Sequence, residues 1–169
     1  MFSVGQTVLY GTNGVCKIED ITVKTVGKVK MEYYVLKPVG SESSTLFVPT
    51  ANEALVKKIR FVLSEEEIRD ILADGNAGEQ WIDNKIERSE HFKEIIARGD
   101  SAEVVGMIRL IHLHAQEQLA KGKRLHISDE RFLKEAEKMV CGEFAMMLNV
   151  SHDDVIDLIL HREKENAIA

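Results

Sequence analysis

The sequence predicts an α+β chain, with a small N-terminal β module followed by a C-terminal all-α domain of about five helices. Three observations point there. Residues 4–60 alternate short β-type runs with turn residues; from residue 64 onward the hydrophobic period lengthens to about 3.6; and both prolines, Pro38 and Pro49, precede that change. The expected domains are 1–60 and 61–169. A chain of 169 residues can support one sizeable core or two small modules in series.

In the first half, strands are expected at 4–10, 15–18, 21–26, 31–37, 45–48 and 56–59. They are punctuated by Gly11-Thr12-Asn13-Gly14, by Gly27-Lys28 and by Gly40-Ser41-Glu42-Ser43-Ser44, residues that accept positive φ or bond back to the backbone. Pro38 and Pro49 fall at strand ends, where a missing N–H costs no ladder bond. So many short strands in so few residues cannot build a large sandwich. A curled sheet or a small barrel of SH3 or Tudor type is expected.

In the second half, Ser64 and Glu67 form a capping box that opens a helix to residue 73, closed by Asp74-Gly75-Asn76-Ala77-Gly78. A second helix is expected over 79–98, with Trp81 in its first turn and Gly99 as its stop. Ser101 should cap a third over 102–120, whose apolar face is Val104, Val105, Ile108, Ile111 and Leu119. Lys121-Gly122-Lys123-Arg124 ends it. Ser128 should start a fourth, with Phe132, Leu133, Ala136, Met139, Val140 and Phe144 at helical spacing, and Ser151-His152-Asp153-Asp154 caps a fifth through Leu160.

The composition, 44% hydrophobic and 30% charged, is that of an ordinary globular protein. Apolar runs are far too short to cross a bilayer and the first residues lack a basic region followed by an apolar block, so a cytoplasmic protein with no membrane partner is expected. Cys16 and Cys141 stand alone, which argues for reduced thiols and against a zinc or disulfide framework. Neither a phosphate-binding glycine loop, a metalloprotease helix pair nor a nucleophile elbow occurs, so no enzyme, cofactor, metal or small-molecule substrate is expected. His112 and His114, two apart on a helix, face different sides and cannot chelate one metal together. The clustered carboxylates, such as Glu65 to Glu67, sit in first helical turns, where the helix dipole accounts for them.

The net charge of −6 excludes coating of nucleic acid by electrostatics alone. It is unevenly spread: residues 1–60 carry eight Lys/Arg against five Asp/Glu, and 61–169 carry 14 against 23. Within the acidic half, Trp81 is followed by Lys85, Arg88, Lys93 and Arg98, and a second basic group comprises Lys121, Lys123, Arg124, His126 and Arg131. Two readings of Trp81 stand. It packs in a core while its cations pair with Asp83, Glu87, Glu90 and Glu94, the reading that spacing alone favours, or it is an exposed wedge or stacking platform with cations on nearby phosphates. In the β half, Phe47 lies between Leu46 and Val48, so strand alternation places an apolar group on each face. Either another part of the chain covers the outer one or an edge strand meets a protein partner there.

The runs Val4-Gly5-Gln6-Thr7-Val8-Leu9-Tyr10, Gly14-Val15, Ile18-Glu19-Asp20-Ile21, Tyr33-Tyr34-Val35-Leu36-Lys37 and Val48-Pro49, with Trp81 and Arg98-Gly99-Asp100 downstream, resemble the CarD/CdnL family of bacterial transcription regulators. The first part also resembles the polymerase-interacting module of the transcription-repair coupling factor. The resemblance implies a Tudor-like module that binds the RNA polymerase β subunit through Lys24, Phe47 and Val48. It also implies a helical domain that meets promoter DNA at the upstream edge of the bubble, with Trp81 as minor-groove wedge; Lys85, Arg88, Lys123 and Arg124, from the two basic groups, are the expected DNA contacts. The chain departs from the family at Phe47, where a basic residue is usual, and at Gly11 and Asn13, where proline and histidine are common. An adaptor of the same fold with a different partner and a structural Trp81 is the alternative.

Overall fold

The computed structural model describes residues 1–41, 43–74 and 79–160. Its contacts divide the chain into two units, Met1–Val62 and a second beginning at Leu63.

The first unit is an antiparallel five-stranded sheet of order β4-β3-β2-β1-β5. Its strands are β1 (Thr7–Tyr10), β2 (Val15–Val26), β3 (Val29–Pro38), β4 (Leu46–Pro49) and β5 (Ile59–Phe61), with a one-turn helix α1 (Glu53–Val56) before β5. The expected strands at 15–18 and 21–26 are one strand. The ladder slips between Ile18, opposite Leu36, and Asp20, opposite Val35, leaving Glu19 as the extra residue of a bulge. Gly27, at φ +66°, turns β2 into β3. The strand expected at 56–59 is displaced to Ile59–Phe61 because the Asn52 side chain accepts the Leu55 N–H and winds 53–56 into a helical turn. Both prolines close strands. Val8, Cys16, Ile18, Tyr34, Leu36, Val48 and Ile59 form the core, on one face of the sheet.

The second unit holds α2 (Glu65–Ala73), α3 (Lys85–Arg98), α4 (Ser101–Ala120), α5 (Ile127–Leu148) and α6 (His152–Leu160). The Ser64–Glu67 capping box forms as expected, and the segment expected to close α2, Gly75 to Gly78, lies outside the described residues. Three helix starts differ from expectation. Helix α3 begins at Lys85, because Asn84 accepts the N–H groups of Ile86 and Glu87, so Trp81 belongs to the preceding connection. Asp100, not Ser101, caps α4, and His126 takes the capping role expected of Ser128. Gly99, at φ +67°, stops α3, and Ser151 and Asp154 cap α6 reciprocally.

Phe92, Ile95, Met107, Ile108, Ile111, Phe144 and Ile159 are fully buried in the helical core. Leu119, expected on the apolar face of α4, is instead 73% exposed in the last turn of that helix. Polar side chains tie the elements of the unit together. Buried Glu143 accepts the Leu63 N–H at 2.8 Å, and Arg109 donates to Leu72 O, Asp74 O and Ile159 O, binding the last turns of α2 and α6 together. Among the described residues no helix is long and apolar enough to cross a membrane.

Candidate functional site

In the β unit, the register separates two faces. Ile21, Tyr34, Leu36 and Val48 share the core side. The opposite side carries Lys24 beside Met31, Val26 beside Val29, Tyr33 beside Pro49 and Val35 beside Phe47. That outer face is an apolar stripe running from the β2–β3 turn to edge strand β4. Val26 and Val29 are about as exposed as each other, at 59% and 61%, and Phe47 is 44% exposed. The Lys24 ammonium sits 3.6 Å from the Phe47 ring centroid, and Tyr33 meets the same ring edge-on at 6.3 Å. Lys24 and Phe47 therefore form one exposed cation–aromatic unit. Val48 corrects the expectation of a polymerase contact at its side chain: it is fully buried, because strand alternation turns it inward. Strand β4 is an edge of the sheet, so what it can offer a partner is its outward main-chain groups and not the Val48 side chain.

Trp81 is partly buried against the helical core. Its indole stacks on the His114 imidazole from α4, with centroids 3.6 Å apart and planes within 6°, and meets Phe92 edge-on at 6.1 Å. The Arg88 guanidinium lies 4.7 Å from the ring centroid. Arg88 corrects a second expectation. It is 6% exposed and forms a bidentate pair with Asp129 of α5, so it is not presented to a phosphate, nor is it paired with a neighbour on its own helix. By contrast, Lys85, Lys123 and Arg124 are exposed, with Lys121, His126 and Arg131. Tertiary packing brings Trp81 and Lys85 towards the end of the unit that carries the second basic group, while Arg98 pairs with Glu103 at the start of α4. Trp81 touches α4 at His114, about 10 Å of helix before Lys121. Arg88, beside the indole, grips the first turn of α5, where the 121–126 connection ends.

His112 and His114 do face different sides: His112 bonds Glu137 at 3.0 Å, while His114 holds Trp81. No cluster of metal-type ligands occurs among the described residues. Both cysteines are buried, which pushes the Cys16 thiol up to about 11 and that of Cys141 up to about 12, so neither is a ready nucleophile near neutral pH. Sequence reasoning missed His114 and Asp129, for which spacing carried no signal. It also missed the outer stripe, for which the alternation Met31, Tyr33, Val35 was a usable one.

Residues 2–60, which make up nearly all of the β unit, match the family model described as CarD-like/TRCF RID domain. The β unit is a CarD-like RID domain. Domains of this family interact with RNA polymerase, in general through its β subunit. The RID match lends Lys24, Phe47 and the β4 edge their interest, and Trp81 stands in the unit that follows.

Proposed function

We propose that this chain is a non-enzymatic transcription regulator that docks on the RNA polymerase β subunit through its RID domain. Its helical unit then stabilises the promoter open complex by setting Trp81 at the upstream edge of the bubble. The observation that carries the reading is the coupling, in one chain, of a RID domain to a braced, partly exposed tryptophan with exposed Lys85, Lys123 and Arg124 towards the same end. On the RID domain, the edge of β4 offers main-chain pairing, while Lys24 and Phe47 add a cation and an aromatic surface.

Tethering raises the local concentration of the helical unit at the promoter, so an acidic chain needs little DNA affinity of its own. The net negative charge then limits binding to DNA elsewhere. A tryptophan that stacks at an unwound junction favours the open state, and a differential of about 1.4 kcal/mol shifts that equilibrium tenfold. One wedge and a few phosphate contacts read little sequence, so weak promoter specificity follows. The protein would act at the bacterial nucleoid, in the cytoplasm.

A second reading, an adaptor in which Trp81 is structural, draws on the stacking of the indole on His114 and its packing on Phe92. Open-complex formation by the cognate polymerase on a melting-limited promoter separates the two. Wild type should raise the open population, and a folded Trp81→Ala variant should bind polymerase equally but lose about tenfold of the effect. Full stimulation by Trp81→Ala would discard the wedge in favour of the adaptor.

A further inference from the structure

The connection that carries Trp81, residues 79–84, has no strand or helix to satisfy its backbone. One buried side chain does so. Arg88 Nη1 donates to the carbonyl oxygens of Ile82 and Asp83 at 2.9 and 3.2 Å, while Nε and Nη2 donate to the two carboxylate oxygens of Asp129, both at 2.9 Å. Asp129 is 1% exposed and sits in the first turn of α5, where the helix dipole favours its charge. The same guanidinium reaches the Trp81 ring. A further charged tie on this connection, His91 to Glu79 at 3.6 Å, is part-exposed and correspondingly weak.

We infer that Arg88 and Asp129 are positioning residues for Trp81, a buried latch that fixes the pose of the indole before any partner arrives. The inference rests on the reading that Trp81 engages the promoter fork. A side chain ordered during folding has little freedom left to lose on binding, which is what a wedge requires. A merely structural ion pair is replaceable by apolar residues of similar volume. A latch is not, because no apolar side chain can donate to the carbonyls of Ile82 and Asp83. Lysine fails differently: it keeps the charge facing Asp129 but lacks the planar fork that binds carboxylate and carbonyls together.

Trp81 is the only tryptophan, so its emission and acrylamide quenching read this connection directly. The test compares the full-length double variant Arg88→Met/Asp129→Leu and the single variant Arg88→Lys with wild type, each checked for native helicity by circular dichroism. In both, Trp81 emission should shift to the red and its quenching constant should rise. Polymerase binding should be unchanged, while open-complex stimulation falls by about tenfold, the scale of coupling within one hydrogen-bond network. Wild-type emission and quenching in either folded variant would overturn the latch. So would full stimulation by these variants where Trp81→Ala has lost it. If Trp81→Ala keeps full stimulation while the variants still expose the indole, the wedge reading fails and the latch stands as the device that holds the connection.

Discussion

Phe47 and Trp81 are the two aromatic residues on which the candidate interfaces turn, and they are held in opposite ways. Phe47 lies on an outward sheet face, 44% exposed, touched by Lys24 and Tyr33. Trp81 is partly buried, stacked on His114, edged by Phe92 and gripped beside Arg88. The Phe47 ring lies outside the core of the sheet, whereas the helical core does use part of the indole. An aromatic group that its own fold does not need is free to be specified by a partner; one that is half built into a core brings rigidity to whatever it meets.

The largest expected effect tests the Trp81 side. Trp81→Ala removes a large ring from a part-buried site and should cost about 3 kcal/mol of stability, at the low end for an aromatic truncation, measured by urea unfolding followed by circular dichroism. A cost near zero would mean that the indole is not braced, and the contrast with Phe47 would vanish. Next, neighbouring residues of β4 should part company. Val48→Ala, in the core, should destabilise by about 2 kcal/mol. Phe47→Ala should cost less than about 1 kcal/mol yet weaken capture of the polymerase β subunit. Equal stability losses at the two positions would show that the outer face is as structural as the inner one. Smallest of all, Lys24→Ala removes an exposed cation–π contact, and about half a kcal/mol should separate it from wild type in the same unfolding assay.

Much of the architecture could be read from the chain. The capping boxes at Ser64 and Ser151 and the stop at Gly99 form where their residues stand, because caps and left-handed turns are decided within a few residues. Where reading failed, a competing local partner had won. Asn84 took the cap of α3 and moved Trp81 out of the helix, Asn52 wound a helical turn into an expected strand, and Glu19 was absorbed by a bulge that joined two expected strands.

The site was legible in its residue types and illegible in their pairings. Hydrophobic period, turn residues and charge are properties of neighbours along the chain, and they were enough for the α+β class and for singling out Trp81 and Phe47, while the family resemblance supplied Lys24. The pairing of Arg88 with an aspartate 41 residues away, the stacking of Trp81 on His114 and the inward turn of Val48 beside exposed Phe47 depend on which surfaces meet when the elements pack. Packing made Arg88 an internal strut and left Lys85, Lys123 and Arg124 in solvent. A guanidinium enters the interior only where a carboxylate and carbonyl oxygens from other elements converge to receive it, and that convergence is written in no local stretch of the sequence.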